Sequence, residues 1–277
     1  MRFQFLGTAA AEAMPAIFCE CEICKHAWEH GGKDVRRRAS YLIDDDTLID
    51  FGPDINWQMN AFRIDLTKIK RIIFTHPHAD HLDAIELYWR TWFSRVSKNI
   101  HVFGCDTVEE QIKKGIAAYQ EKPVEMKDLK INFIPYDHGM EVTDEDMTIL
   151  PLKADHPSAK KPVFPIIRRN GKTILVMNDT GYPFEEDWEL IEKEKFDLVT
   201  IDTTMALVEP DCRRNHMGVN VVAEVAERLR AKGCLKENCR IVSTHISHNS
   251  LARHADLEAF FNPKGIEVAY DGMIVEI

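Results

Sequence analysis

Three histidines and an aspartate, His76, His78, Asp80 and His81, are crowded into the six-residue segment HPHADH. In an extended chain, residues two apart point to the same side, so His76 and His78 offer two imidazoles to one site. Asp80 and His81 follow where the chain must turn into a helix, so they face another direction. Imidazole and carboxylate suit Zn, Mn or Fe without selecting among them. The segment therefore predicts two neighbouring metal sites, which together can generate a hydroxide and stabilise a displacement reaction.

A second group of potential ligands lies near the N-terminus, in the segment CECEIC. Cys19, Cys21 and Cys24 are three thiols within six residues, enough for three corners of a tetrahedral zinc site. From spacing alone, His26 or His30 is available as the fourth ligand. The alternative is a set of buried or redox-active cysteines.

Composition limits the partners and the compartment. The chain has 277 residues, 45% of them hydrophobic and 29% charged, with a net charge of −10. An acidic chain is repelled by phosphate polymers and anionic membranes, so we expect neither extended nucleic acid nor a membrane as a partner. Gln4, Gly7 and Glu12 interrupt any signal-peptide core. We therefore expect a cytoplasmic protein with its seven cysteines reduced.

The pattern of the remaining chain predicts strands in runs with a few helices between them. The strand-like segments are RFQFLG, two short strands in ASYLIDDDTLIDFG, IKRIIF, KINFIPY, MTILPLKA, VFPIIRR, KTILVMND, FDLVTID, CRIVSTHIS and two strands in IEVAYDGMIVEI. No fixed-period repeat, low-complexity segment or flexible linker is visible. We therefore expect one domain over residues 1–277, built from sheets covered by helices.

Two segments have apolar residues at helical spacing. In LDAIELYWRTWF the apolar face is Leu82, Ile85, Trp89 and Trp92. In GVNVVAEVAERLRAKG it is Val219, Val222, Val225, Ala226 and Leu229, with Gly233 as the expected end of the helix.

The motif HPHADH after an apolar strand resembles that of the metallo-β-lactamase superfamily. Further along the chain, DFGPD, ADHP, MNDTG and STHIS resemble the other metal-binding segments of that superfamily, in the same order. The resemblance covers nearly the whole chain. It implies a four-layer αββα sandwich, the metallo-β-lactamase fold, with the active site at an edge lined by strand ends.

The resemblance also implies the ligand sets. His76, His78 and His156 would bind one metal; Asp80, His81 and His245 would bind the other; and Asp179 would bridge the two. His138 in YDHGM is the rival third histidine for the first set. The metals would be Zn or Mn, with Fe also possible.

The spacing Cys-x-Cys-x-x-Cys resembles a subgroup that contains the phosphodiesterase of the carbon–phosphorus lyase pathway. That subgroup implies His248 as the fourth ligand of a structural zinc, since four protein ligands leave no open position. The cysteines also resemble the pyrroloquinoline-quinone biosynthesis member of the superfamily. That member tends to have a degraded histidine motif, whereas the complete motif here favours hydrolysis.

Several other residues have a functional and a structural interpretation. In phosphodiesterase members, including ribonuclease Z, a histidine in a segment like RRNHMG assists the leaving group, which implies that His216 is a general acid; the alternative is a histidine at a helix start without a role. Asp50 is expected to hold either a ligand histidine or the loop that carries the motif. We interpret Arg36 to Arg38 as a solvated triplet, and Trp57, Trp89 and Trp92 as core.

These observations predict a metal-dependent hydrolase that acts on a small or cyclic phosphodiester. Asp80 would both bind metal and orient the attacking hydroxide, and His216 would protonate the leaving oxygen. The alternatives are a protein of redox-cofactor biosynthesis, a di-iron oxidoreductase of the same fold, or a non-catalytic protein stabilised by metal. A homodimer is possible.

Overall fold

A computed structural model describes residues 1–277, which form fourteen strands and seven α-helices. The strands are β1 Arg2–Gly7, β2 Ser40–Ile43, β3 Thr47–Ile49, β4 Arg71–Ile73, β5 Ile100–Gly104, β6 Ile131–Pro135, β7 Val142–Asp144, β8 Met147–Lys153, β9 Val163–Arg169, β10 Lys172–Met177, β11 Phe196–Asp202, β12 Leu235–Thr244, β13 Glu267–Val268 and β14 Ile274–Glu276. The helices are α1 Glu22–His30, α2 Ile55–Phe62, α3 Ala84–Trp92, α4 Asp106–Gln120, α5 Glu185–Ile191, α6 Val219–Ala231 and α7 His254–Phe261. None of these helices is long and apolar enough to cross a membrane.

The strands form two seven-stranded mixed sheets. The first has the order β14-β1-β2-β3-β4-β5-β6 and the second the order β13-β12-β11-β10-β9-β8-β7. Phe3, Ile73 and Phe103 of the first sheet share one buried cluster with Ile149 and Val176 of the second, so the inner faces pack against each other.

Each sheet has helices on its outer face. Ile55, Leu87 and Ile112, from α2, α3 and α4, are buried with residues of the first sheet. Trp188 of α5 and Val222 of α6 are buried with residues of the second, as are residues of α1 and α7. The predicted four-layer αββα sandwich is therefore confirmed.

The direction of the strands brings several of their carboxyl ends to one common edge. In the second sheet β10, β11 and β12 are parallel, so the residues that follow their carboxyl ends lie side by side. In the first sheet β3 and β4 are parallel as well. The residues of the predicted metal-binding motifs lie at this edge.

All the predicted strands are present, and the helix predicted from GVNVVAEVAERLRAKG is α6. Its predicted face is buried against the second sheet, and Gly233 follows its end with φ +62°. The sequence patterns did not identify the long helix α4, the shorter helices α1, α2, α5 and α7, or strands β5 and β7.

The helix α3 exists as predicted, but its predicted apolar face is only partly correct: Leu82 is buried and Trp89 packs against the core, whereas Trp92 does not. Asp83 caps the helix by accepting hydrogen bonds from the N–H groups of Ile85 and Glu86. From that start, the positions that face the sheet are Ala84, Leu87 and Tyr88. The predicted stripe was offset around the helix by about one residue, so Trp92 is 66% exposed rather than core.

Two further interpretations are corrected by the structure. Trp57 is 43% exposed, and its ring lies under the guanidinium of Arg37 instead of in the core. Arg36 is buried, not solvated: it donates to Thr8 Oγ1, to the carbonyl oxygen of Ala269 and to His254 Nδ1. These partners are distant in sequence, so no local pattern revealed the burial.

Opposite the edge with the motifs, Arg71 of β4 joins the two sheets. Its guanidinium is 1% exposed and pairs with Asp144 and Glu145 of the second sheet's β7–β8 hairpin, and with Asp46. Removing one partner of a buried ion pair leaves the other charges uncompensated.

We therefore expect Arg71→Met to lower the free energy of unfolding by about 3–5 kcal/mol in urea denaturation. The matched control is Lys113→Met, which breaks half-exposed pairs with Glu109 and Glu125 and should cost at most about 1 kcal/mol. Equally small losses in both variants would contradict the role assigned to Arg71.

Candidate metal centre

The candidate site lies where the carboxyl ends of five strands meet. Asp50 follows β3, the HPHADH segment follows β4, and His156 follows β8. Asp179 follows β10 and His245 follows β12, both with positive φ of 53° and 58°. Such a conformation is costly for residues other than glycine and tends to persist where a site needs it.

The first predicted ligand set is brought together around Asp179. One nitrogen or oxygen atom from each of His76, His78, His156 and Asp179 lies within 4.8 Å of every other. His76 Nε2 is 3.2 Å from Asp179 Oδ2, and His156 Nδ1 is 3.3 Å from Asp179 Oδ1.

The second predicted set shares the same aspartate. Ligand atoms of Asp80, His81, Asp179 and His245 also lie within 4.8 Å of one another. His81 Nε2 is 3.1 Å from Asp80 Oδ2 and 3.1 Å from Asp179 Oδ2, and His245 Nε2 is 3.8 Å from that oxygen. Asp179 therefore lies between the two sets, where a bridging carboxylate belongs.

The atoms that converge here are buried and lack hydrogen-bond partners. They are His76 Nε2, His81 Nε2, His156 Nδ1, Asp179 Oδ1 and His245 Nε2. A buried polar atom without a hydrogen-bond partner is costly, and native proteins seldom place five such atoms around one point. Their chemistry, imidazole nitrogen and carboxylate oxygen, fits divalent cations, so the residues present suit the metals that the sequence predicts.

Burial and charge prepare these groups for a cation. Burial lowers the pKa of His76, and it lowers the pKa of His156 to about 4, so both imidazoles are held neutral, the form that binds metal. Burial alone would raise the pKa of Asp179, but the neighbouring histidines His245 and His76 hold it well below its usual range.

Asp50 supports the second set from behind, as the sequence predicted. His81 Nδ1 donates to Asp50 Oδ2 at 2.6 Å, and the N–H of Thr75 donates to Asp50 Oδ1 at 2.8 Å. Burial disfavours a positive charge on His81, yet Asp80 and Asp50 raise its pKa well above the ordinary value. The same carboxylates favour any cation placed at His81 Nε2.

Asp202, at the end of β11, was not predicted from the sequence, but it contacts two of the predicted site residues. Its buried carboxylate lies 3.1 Å from His216 Nδ1 and 3.2 Å from His245 Nδ1, and it accepts from the N–H of Met217. It thus orients one predicted ligand and the predicted acid together. An aspartate ending a buried strand, FDLVTID, was the available signal.

His216 lies beside the cluster, with its Nδ1 3.5 Å from Asp179 Oδ1. Burial opposes its protonation, but the Asp202 carboxylate overrides burial and raises the pKa of His216 to about 9. Because Nδ1 faces Asp202, Nε2 is the nitrogen left for a substrate.

The three cysteines lie close to His248 and not to His26 or His30, the histidines nearest to them in the sequence. Sulfur atoms of Cys19 and Cys21 lie 3.4 and 3.5 Å from His248 Nδ1, and Cys24 completes a set within 4.8 Å. Bonds of about 2.3 Å to a tetrahedral zinc place ligand atoms roughly 3.5–4 Å apart, so the cluster has the size of a zinc site.

The local alternatives for the fourth ligand lie elsewhere. His26 Nε2 is 3.3 Å from Asp34 Oδ2, and the ring of His30 stacks on that of His26. The rival third histidine, His138, pairs with Asp187 at 2.9 Å, outside the centre.

The start of α1 favours a thiolate in the cysteine cluster. Burial raises the pKa of Cys21, but the N–H of Cys24 and the His248 side chain outweigh it and lower the pKa to about 6. Burial raises the pKa of Cys24 to about 12. A bound cation would favour the thiolate of both, since the thiolate is the form that binds metal.

Glu12 connects the cysteine cluster to the predicted catalytic edge. Its carboxylate lies 3.6 Å from His248 Nε2 and accepts hydrogen bonds from Ser247 and Asn249. Ser247 is two residues from His245, so an ordered cysteine cluster would help to fix the last histidine of the centre.

Cys21→Ser is expected to lose one zinc equivalent and to lower the melting temperature, because thiolate ligation couples metal binding to folding. The two metals at the strand ends should remain. Elemental analysis and thermal unfolding check this, with Cys239→Ser, a cysteine outside the cluster, as the control. Full zinc content and unchanged stability in Cys21→Ser would contradict a structural zinc.

Metal content also tests the shared aspartate. Protein purified without chelator is expected to hold two to three equivalents, two at the strand ends and one at the cysteines. Asp179→Ala should lose two of them, since both sets need this carboxylate, while His138→Ala should lose none. One equivalent or less in metal-replete protein would contradict the dinuclear centre.

A family model described as the β-lactamase superfamily domain matches residues 46–246, more than two thirds of the chain. The chain belongs to this superfamily. Its fold, with the candidate His and Asp clusters, implies divalent metal binding. A comparison with curated protein sequences finds no match.

The chain is similar along its whole length to solved structures with the same fold. A diphosphatase from the PhnP family is 21% identical with a TM-score of 0.74, covering 100% of this chain and 98% of that one. Zn²⁺-bound PqqB from Methylobacterium extorquens is 18% identical with a TM-score of 0.75, covering 100% of both chains. The short form of human tRNase Z is 16% identical with a TM-score of 0.70, covering 100% of this chain and 99% of that one. At these identities the likeness shows the metallo-β-lactamase fold alone.

Proposed function

We propose that this chain is a metal-dependent phosphodiesterase, one metallo-hydrolase domain over residues 1–277, acting on a small or cyclic phosphodiester. The observation that carries the proposal is the pair of His216 and Asp202 beside two complete ligand sets. A hydrolase of this kind needs a group that gives a proton to the departing oxygen, and His216 is placed for that role without being required to complete either set.

The proposed ligands are those the sequence predicted. His76, His78, His156 and Asp179 hold one divalent metal, Asp80, His81, Asp179 and His245 hold the second, and Cys19, Cys21, Cys24 and His248 hold a structural zinc. The catalytic metals are Zn or Mn, with Fe as a further candidate. When bound, such a pair acts as a Lewis acid and lowers the pKa of water.

The chain's own residues orient the substrate and move its protons. Asp80 is more exposed than the buried ligands His81 and His245, so its carboxylate is the one available to orient the attacking water at the opening. His216 Nε2 donates a proton to the leaving oxygen, and Asp202 keeps the imidazole in the required tautomer and orientation through Nδ1.

Charge supports a small substrate over a polymer. The chain carries a net charge of −10, which opposes the long phosphate contacts that extended RNA or DNA would make. The names of two structural neighbours, a diphosphatase and a tRNase Z, add support for phosphate chemistry. We also propose a cytoplasmic location, where seven free cysteines would stay reduced.

The alternative is a role in redox-cofactor biosynthesis, or a di-iron oxidoreductase, on the same fold. The likeness to PqqB is compatible with the first of these. Both ligand sets are complete here and a proton donor stands beside them, which favours hydrolysis.

A substrate panel tests the proposal. Protein loaded with Zn or with Mn would be offered a cyclic ribosyl phosphate, a linear alkyl diester, a diphosphate diester and a phosphate monoester. Faster turnover of a diester, cyclic or linear, than of the diphosphate or the monoester is the expected result. Preference for the diphosphate would replace the reaction class with phosphoanhydride hydrolysis. No turnover of any of them by loaded protein would contradict the proposal.

A further inference from the structure

A second recess lies on the outer face of the first sheet, and none of the predicted metal ligands lines it. It is a cavity of about 640 Å³ between α2, α3 and the segment that follows α3. Sites for small organic ligands span roughly 300–1,000 Å³ and are mostly apolar with a few placed polar groups. The cavity therefore has the size and position of a ligand site that the phosphodiesterase proposal does not use.

The floor of the cavity is the hydrophobic sheet itself. Leu48, Ile72 and Ile100, on the adjacent strands β3, β4 and β5, form it. Met59 of α2 and Phe93, which is 77% exposed, form part of the wall and the rim. A recess that reaches an apolar floor between two helices suits a narrow apolar chain better than the flat surface of a folded partner.

One wall carries a largely buried cation without a counter-charge. The guanidinium of Arg90 donates only to the carbonyl oxygens of Leu129 and Lys98, and no carboxylate pairs with it. Burial lowers its pKa, with no acid to oppose that effect. An unpaired charge in such a place is costly and is normally matched by an opposite charge.

The acid best placed to pair with Arg90 does not do so. Glu86 stands one helical turn earlier, the usual spacing for an ion pair on a helix, and also lines the cavity. It has no cationic partner, and burial together with Asp83 raises its pKa. Arg95 and Lys98, at the exposed rim, likewise pair with no acid. The charged groups of the cavity are thus three cations and one carboxylate.

We propose that this cavity binds a free single-chain organic anion of the fatty-acid class, with its alkyl chain on the sheet and its carboxylate at Arg90. The apolar floor and walls provide contacts for the chain, and the Arg90 guanidinium, which has no acidic partner, provides charge-assisted hydrogen bonding to the head. Arg95 and Lys98 favour the approach of an anion over a cation.

The experiment compares three twelve-carbon probes with different heads: dodecanoate, dodecanol and dodecylamine. Binding is measured by calorimetry below the concentration at which each probe forms micelles. We expect one dodecanoate per chain, bound about 10- to 100-fold more tightly than dodecanol, the usual effect of a hydrogen bond to a charged group. Dodecylamine should bind more weakly than either.

Two variants address the chain and the head separately. Met59→Trp fills the cavity and should weaken dodecanoate at least about tenfold, whereas Met140→Trp, at an exposed position outside it, should not. Arg90→Gln should bring dodecanoate and dodecanol to within about threefold of each other. Thermal unfolding of each variant establishes that it is folded.

Three results would overturn the proposal. The first is the absence of saturable one-to-one binding of dodecanoate to the wild-type chain. The second is wild-type affinity in folded Met59→Trp. The third is binding only to anionic vesicles and not to the free probe, which would assign this surface to a membrane. Phosphodiester turnover does not enter any of these measurements, so they stand apart from the proposed catalytic function.

Discussion

Replacing Asp80 with alanine is expected to abolish the hydrolysis of every phosphodiester. The side chain contributes an oxygen 3.1 Å from His81 Nε2, and it is the carboxylate of the second set nearest the opening. Its removal takes away both a proposed metal ligand and the group that orients the water. A positioned general base alone contributes about 10²–10⁴-fold, so the combined loss should exceed that range.

The measurement is kcat/KM for bis(p-nitrophenyl) phosphate and for an alkyl diester, with the metal content of the same sample. Asp83→Ala is the matched control, because Asp83 is three residues away and only caps α3. That variant should lose about 1 kcal/mol of stability and keep its turnover. An Asp80→Ala protein that still hydrolyses an alkyl diester within tenfold of the wild type would remove Asp80 from the mechanism.

The effect of His216→Ala is expected to depend on the leaving group. An alkoxide has a high pKa and needs a proton as it departs, whereas a nitrophenolate does not. The variant should therefore lose about 10²–10⁴-fold on an alkyl or ribosyl diester and much less on a nitrophenyl diester. The motivating geometry is the imidazole held by Asp202 at 3.1 Å, with Nε2 left for the substrate.

The control for His216 is His138→Ala, another histidine paired with a buried aspartate but outside the centre. It should leave both rates unchanged. Equal losses on both substrates in His216→Ala would replace the acid role with a binding role. Full activity on both would place the proton source elsewhere.

How much of the fold could be predicted from the sequence depended on how far apart in the chain the interacting residues lie. Strand segments were found because their apolar runs and turn residues are local signals. The helix α4 has such a local signal as well, since Val108, Ile112 and Ile116 are apolar, buried and four residues apart. For α3 the period was right, but the rotation of the helix is set by packing against the sheet.

In the candidate site, too, local patterns could be predicted from the sequence and long-range contacts could not. HPHADH is a local pattern, so residue types and spacing were enough to predict metal ligands there. His248 lies 224 residues after Cys24, and only the resemblance to known proteins connected them, since spacing alone offered His26 or His30 as the fourth ligand. Asp202 was missed because its partners, His216 and His245, reach it only through the fold.

The most direct test of the account is the hydrolysis of bis(p-nitrophenyl) phosphate by the wild-type chain, with the metal content of the same sample measured. We predict saturable turnover that rises as the two strand-end sites fill and disappears in Asp179→Ala, while the cysteine zinc of that variant remains. Protein with both sites filled and no turnover of this activated diester would contradict the assignment as a phosphodiesterase.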